Sequence, residues 1–381
     1  MEPWNIIFFK CNHLEQFELQ QNNINHIQSE DEIVLHKYRN KINEYEGKLS
    51  HDKNWEYYKK VVNPYELVYT QKKYDNFPES IYSLKPLSRS YFKMIEILDL
   101  IHFFDNVDNI RSAHVCEGPG GFIQALFDEA SKKNKKIITS TAMTLKSRQT
   151  NVPGWKRAAH FLKMNRCIRI LYGEDETGNI MKPVNQQYFI DYCTMKMNIF
   201  TADGGFDFSY DYENQEQLIF PLLVASTKIG FEVLKKGGVF ILKFFDFYHK
   251  YTIDLLYFLS CHFTEWTLYK PSTSRPCNPE QYFIGKGFTG CSNVVLDVMR
   301  LWCSILENNQ PLESLLKMPY TFNIIHELQR NSFKTQTEYL EKVFNMIDKN
   351  DDNIIKNCLK NNEKTSYEWC ARFKPMNLIE A

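Results

Sequence analysis

With 381 residues, 43% of them hydrophobic and 15% aromatic, the chain exceeds one average domain and has ample material for a sizeable core. Its 46 Lys and Arg balance 46 Asp and Glu, which excludes a global field that draws in polyanions, so any nucleic-acid contact must come from a local basic patch. No run approaches the ~18 apolar residues of a membrane-spanning helix, and no basic-then-apolar leader follows Met1, so a soluble protein with no membrane partner is expected. Ten cysteines without a C-x-x-C pair fit reduced thiols in a cytosol-like compartment, and no metal is expected.

Residues 1–80 are polar and rich in Asn, Glu, Lys and Tyr, which predicts an irregular, mostly helical N-terminal region. From Leu87 the pattern changes. Ser88 can cap a helix in which Tyr91, Met94, Ile95, Leu98 and Ile101 recur at three- and four-residue steps, with Lys93 off that apolar stripe. Short apolar runs then alternate with other segments: HVC before a helix at 121–131, KKIITST before a long connection, CIRIL before a turn, NIFTAD before a helix at 213–235. Strand–helix alternation predicts an α/β fold, a parallel sheet with helices on both faces. The helix at 213–235 is expected to end on Lys235, Lys236, Gly237 and Gly238, cations followed by glycines that tolerate positive φ, before the strand GVFILKFF. After a helical stretch near 251–260, EWTLYKP and QYFIGKGF follow with no helix between them, which predicts an antiparallel addition to the sheet. Beyond 293 the chain turns helical, with a solvated connector expected around 348–364. The expected division is therefore 1–80, 81–292 and 293–381.

Two features of this pattern carry chemistry. In HVCEGPGGF, directly after a strand, Gly118, Gly120 and Gly121 permit positive φ and close approach of a ligand, while Pro119 stiffens the turn. The G-P-G-G order lacks the G-x-G-x-x-G spacing that sets a helix N-terminus against a pyrophosphate, so it suits a cofactor without phosphates. The second feature is Lys243, an ammonium inside Val239–Phe245, where a buried strand tolerates a charge only at a cleft or beside a partner. Lys93, Asp203 before Gly204–Gly205, and Glu280 are the other charged residues in short segments flanking these elements.

The segments SRSYFKM, CEGPGGF, TADGGFD, LKFFD and SRPCNPEQYFIGKGF, in that order over about 80–290, resemble the FtsJ-like ribose 2′-O-methyltransferases, and within them the cap-specific mRNA branch. VPGWK and YGEDETGNI resemble versions encoded by large cytoplasmic DNA viruses. The resemblance implies a Rossmann-like class I methyltransferase sheet, S-adenosylmethionine as cofactor and capped RNA as substrate. It implies a tetrad of Lys93, Asp203, Lys243 and Glu280 around the target 2′-hydroxyl, with Lys243 as the base. A lysine accepts a proton only when neutral, and desolvation or a second ammonium favours that state. The resemblance further implies that Gly118, Gly120 and Gly121 contact the methionine end of the cofactor, with Pro119 and Phe122 shaping the loop, and that Asp175 hydrogen-bonds the adenine amino group, Glu174 being the near alternative. The end of KKIITST offers no ribose-binding carboxylate, only Thr141 and Ala142.

Lys146, Arg148, Lys156 and Arg157, with Arg275 before the Glu280 segment, form the expected phosphate-binding track. A host cytoplasm or virion follows from the viral resemblance, the nucleus being the alternative, and association with other capping or transcription proteins is compatible with it. Two other readings remain open from the residues: a ribosomal RNA 2′-O-methyltransferase, and a non-catalytic RNA-binding subunit.

Overall fold

The computed structural model describes residues 4, 6–11, 29–70, 77–83, 85–147, 152–205, 215–307 and 324–375. In chain order its elements are β1 (Phe9–Lys10), α1 (Glu30–Glu46), α2 (Trp55–Val61), α3 (Ser90–Leu100), β2 (Asn109–Val115), α4 (Gly121–Lys132), β3 (Lys136–Met143), α5 (Ala159–Met164), β4 (Ile168–Leu171) and α6 (Pro183–Tyr192). They continue with β5 (Met197–Ala202), α7 (Gln215–Val233), β6 (Leu234–Phe244), α8 (Lys250–Ser260), β7 (Phe263–Tyr269), β8 (Gln281–Phe288), α9 (Asn293–Glu307), α10 (Ile324–Lys349) and α11 (Asp352–Phe373). The chain divides into two compact units. One takes Met1–His26, Pro86–Lys270 and Glu280–Phe322; the other takes Ile27–Lys85, Pro271–Pro279 and Asn323–Ala381. This differs from three consecutive segments, because segments from both ends of the chain enter one helical unit.

The first unit is built on an eight-stranded sheet in the order β1-β7-β8-β6-β5-β2-β3-β4. Strands β2 to β6 pair in parallel, and β8, β7 and β1 add antiparallel strands on one side, the mixed architecture expected from the sequence. Strand β6 is apolar from Val239 to Leu242, the run expected of a strand covered on both faces, and Phe240, Ile241 and Phe244 are fully buried. Helix α7 lies close on the sheet at Gly230, where a Cβ would come within 2.3 Å of the Phe240 ring. Chain order reverses between β5 and β2, and the crevice at the carboxyl ends of such strands is where ligands bind in open α/β sheets.

Four local expectations change. Ser88 is not the cap of α3; its hydroxyl meets that of Ser90 instead, and Arg89 leads into the helix without a side-chain cap. Helix α7 stops at Val233, and Lys235–Gly238 already belong to β6, because Met197 of β5 pairs with Leu234. Helix α6, led by Pro183, occupies what reads as a turn, since its buried side carries the polar Asn185 and Gln186 beside Phe189 while Val184, Tyr188 and Tyr192 are exposed, which leaves no apolar stripe to read. The segment 348–364 is no connector: Asp351 caps α11, whose Ile355, Leu359, Trp369, Cys370 and Phe373 are buried.

The second unit is helical. Ser29 and Glu32 close a reciprocal capping box on α1, Phe344 of α10 packs against Tyr45 and Trp55, and the Asn362 amide of α11 donates to the Val61 carbonyl at 2.6 Å. Among the described residues, no helix is long and apolar enough to cross a membrane.

Candidate active site

Strand register brings the four charged residues of the predicted tetrad together. Ala202 of β5 pairs with both Val115 and Leu242, so Cys116, Asp203 and Lys243 stand side by side just beyond the last common rung. Lys243 in turn pairs with Tyr282 of β8, which leaves Glu280 immediately before that strand at the same edge. Helix α3 buries Tyr91, Met94, Ile95 and Leu98, the stripe read from the sequence, and thereby presents Lys93 to the cluster.

Within the cluster, Lys243 Nζ lies 3.3 Å from Asp203 Oδ1 and 3.4 Å from Glu280 Oε2, while Lys93 Nζ pairs with Glu280 Oε1. All four side chains are only 11–13% exposed. Tyr282 Oη donates to Asp203 Oδ1 at 2.8 Å, and Lys243 Nζ sits 5.4 Å from the Phe245 ring centre. Two ammoniums thus face two carboxylates in a largely dry cleft. Burial pulls both lysines down, but for Lys243 the flanking Asp203 and Glu280 outweigh it and hold its proton above the usual lysine range. Burial prevails at Lys93, which touches one carboxylate and is repelled by Lys243. Glu280 is favoured by burial to keep a proton, yet Lys93 and Lys243 hold its carboxyl below the usual range. The expected depression therefore falls on Lys93 rather than on Lys243.

Below the cluster runs a buried polar chain invisible to pattern reading. His114 of β2 bonds Ser112 Oγ through Nε2 at 2.9 Å and Thr201 Oγ1 of β5 through Nδ1 at 2.7 Å; the Thr201 hydroxyl donates to Glu117 Oε1. Since Thr201 gives its one proton to Glu117, it accepts from His114, which fixes the Nδ1–H tautomer. Burial pushes His114 down to about 3, so it is neutral. Glu117 is 3% exposed, and its Oε2 makes no hydrogen bond among the described residues. Burial, reinforced by Asp203, raises the Glu117 carboxyl well above its ordinary range. The signals that could have found these residues are a histidine inside a buried strand, an acid inside a glycine turn, and a tyrosine two places after Glu280.

The glycine turn folds as expected, but its glycines answer to protein atoms. A Cβ on Gly118 would come within 2.4 Å of the Pro153 carbonyl oxygen, and one on Gly121 within 2.1 Å of Ser88 Oγ. Gly120 has φ +105°, and a Cβ there would lie 3.4–3.5 Å from Trp155 and Leu87. Pro119 is buried in the turn, and Phe122 is fully buried with its ring 5.6 Å from that of Tyr282. A buried acid with an orphaned oxygen opens this turn, where a pyrophosphate-binding turn needs only donors, so the residues fit a cofactor that carries positive charge and no phosphate.

Asp175 is exposed and already engaged: Lys182 Nζ reaches Oδ2 at 2.6 Å, and Thr177 and Asn185 donate to Oδ1. Those bonds, that of Lys182 foremost, hold its carboxyl below the usual range and shape the 173–185 loop. Glu174 is exposed beside it. Of the expected RNA track, Lys156 and Arg157 are exposed on the turn after Gly154, and Lys146 stands over the Tyr172 ring, 3.7 Å from Glu176. Arg148 lies outside the described residues. Arg275 is corrected: it belongs to the helical unit, where it donates to Glu56 at 3.0 Å and to both oxygens of Glu66 at 3.2 Å, so its guanidinium is spent on protein carboxylates.

The mostly parallel sheet with its antiparallel addition, and the site at its switch point, define an α/β protein of Rossmann-like architecture. Residues 86–288 match the FtsJ-like methyltransferase family, and the chain belongs to it. Cap-specific mRNA (nucleoside-2′-O-)-methyltransferase 1 of Dictyostelium discoideum is 29% identical over 66% of this chain and 36% of its own length. Cap-specific mRNA (nucleoside-2′-O-)-methyltransferase 2 of Drosophila melanogaster is 25% identical over 70% of this chain and 40% of its own length. The African swine fever virus protein named "Probable methyltransferase EP424R" is 28% identical over 55% of this chain and 51% of its own length. The chain thus spans about a third to a half of the length of these relatives.

Proposed function

We propose that this protein transfers a methyl group from S-adenosylmethionine to a ribose 2′-hydroxyl beside the 5′ cap of an mRNA. The observation that carries the reaction class is the convergence of Lys93, Asp203, Lys243 and Glu280 at the carboxyl edge of the sheet. The cap specificity rests on the relatives named for that activity.

A ribose hydroxyl is a poor nucleophile, so the protein's work is to align it and take its proton. Bound at the glycine turn, S-adenosylmethionine supplies an already activated methyl group. Lys243 is the proton acceptor in this reading, because it stands at the centre of the cluster against both carboxylates. Asp203 and Glu280 hold its amine in place, Tyr282 fixes Asp203, and Lys93 adds a second donor toward the hydroxyl oxygen. Because its carboxylates keep Lys243 protonated at rest, the rate is expected to rise with pH. The downward shift of Lys93 favours a second reading, in which Lys93 accepts the proton and the pH–rate profile levels off below the usual lysine range.

The test is transfer of labelled methyl from S-adenosylmethionine to RNA, with nuclease mapping of the product. Label on a 2′-oxygen supports the assignment, and label on a base or on protein contradicts it.

A further inference from the structure

Glu117 is the buried group for which the tetrad has no use. Its Oε1 is tied down by the Thr201 hydroxyl, and behind Thr201 stand neutral His114 and Ser112, a chain that holds the carboxyl in one orientation. Its Oε2 is shielded from water and makes no hydrogen bond among the described residues, a condition that costs free energy unless a partner arrives. The groups that act on it are Asp203 after β5, Lys243 on β6, Tyr282 on β8 and the Cys116 thiol, itself pushed up to about 12 by burial. Lys243 already serves Asp203 and Glu280.

Accepting S-adenosylmethionine as the cofactor, we propose that Glu117 Oε2 is the ligand for its positively charged methionyl end, and that Glu117 gives up a proton when the cofactor binds. The chemistry follows from the charges. In the free protein a lone carboxylate, desolvated and repelled by Asp203, keeps its proton. A cation placed against Oε2 reverses the balance: the O–H bond of Glu117 breaks, the proton leaves to solvent, and the carboxylate accepts a charge-assisted hydrogen bond from the ammonium. Thr201 fixes which oxygen faces the ligand. Cofactor affinity then increases with pH until Glu117 is ionised in the free protein as well. S-adenosylhomocysteine, which keeps the ammonium but lacks the sulfonium charge, obeys the same linkage.

The experiment is calorimetric titration of the full chain with each of the two compounds, in buffers of different ionisation heat between about pH 5.5 and 7, below the range in which the compounds' own α-ammonium titrates. The wild-type protein is expected to release up to one proton per cofactor bound. Glu117→Gln is expected to abolish that release and to weaken binding by about tenfold or more, the scale of a hydrogen bond to a charged group. Thr201→Val keeps the carboxyl but removes the hydroxyl bond that favours its ionised form, so the release is expected to persist with its pH dependence moved upward; an unmoved profile overturns the role of Glu117 if the Gln variant unfolds. Tight binding by wild type without proton release, or unchanged release in Glu117→Gln, overturns the role of Glu117. Failure of wild type to bind either compound instead overturns the cofactor reading itself.

Discussion

Each of the two units buries a cluster of charges, and the clusters differ in how completely they are closed. In the helical unit, Glu66 is fully buried and receives Arg275, Asn63 Nδ2 at 2.8 Å and Thr70 Oγ1 at 3.0 Å; Glu56 shares Arg275 and pairs with Lys59. Glu56, Glu66, Lys59 and Arg275 thus each meet an opposite charge on the protein. In the sheet unit, Lys93 and Lys243 compete for Glu280, Tyr282 leans on Asp203, and Glu117 keeps an orphaned oxygen. A closed cluster is explained by folding alone, whereas an open one stores electrostatic energy that a ligand can use.

The largest expected effect comes from emptying the open cluster. Lys243→Ala should lose at least ~10²-fold in methyl transfer, the scale for removing a general base, while cofactor affinity and melting temperature stay near wild type. Parallel loss of folding would make Lys243 a structural ion like Arg275. In the closed cluster the order reverses. Arg275→Ala strands Glu66, while Glu56 keeps Lys59, and should cost roughly 3 kcal/mol of stability by denaturant titration, since removing one partner leaves buried charge uncompensated. Its kcat, measured well below the melting temperature, should hold; a fall in RNA affinity without loss of stability would restore Arg275 to the phosphate track.

The chain beneath the open cluster predicts an acid limit. The folded-state pKa of His114, about 3, lies below its unfolded value near 6.5, so the unfolded chain binds the extra proton. The stability of the neutral ring is complete above pH 6.5 and is lost as pH falls toward 3, with an order-of-magnitude ceiling of ~5 kcal/mol. Thermal melts of His114→Gln should lose much of the slope between pH 6.5 and 4, and an unchanged slope would place the acid sensitivity elsewhere. The smallest effect belongs to the exposed cations. Lys156→Ala and Arg157→Ala should each raise KM for RNA by a few-fold, less at high salt, because each removes one screened phosphate contact.

The tetrad was legible because strand order is written locally. Lys243 interrupts an apolar run, Asp203 ends one and Glu280 precedes one, and register aligns all three. Arg275 was misread because its partners, Glu56 and Glu66, lie more than 200 positions away, which no local pattern reveals. Glu117 looked like a turn residue because its partner Thr201 is set by the pairing of His114 with Thr201 across β2 and β5. Helix α11 hid behind its Asn and Lys surface, although Ile355, Leu359 and Trp369 recur on one buried side.

The central claim is that the open cluster serves a ribose held beside an mRNA cap. Its most direct test is kcat/KM for methyl transfer to one short RNA prepared with a methylated guanosine cap, with a bare triphosphate and with a 5′-hydroxyl. The account predicts that the capped RNA is preferred by ~10²-fold or more, because the cap's binding energy supplies the alignment that the hydroxyl needs. Equal rates on the three RNAs, or preference for a ribosomal fragment, would contradict cap specificity and leave a general RNA 2′-O-methyltransferase.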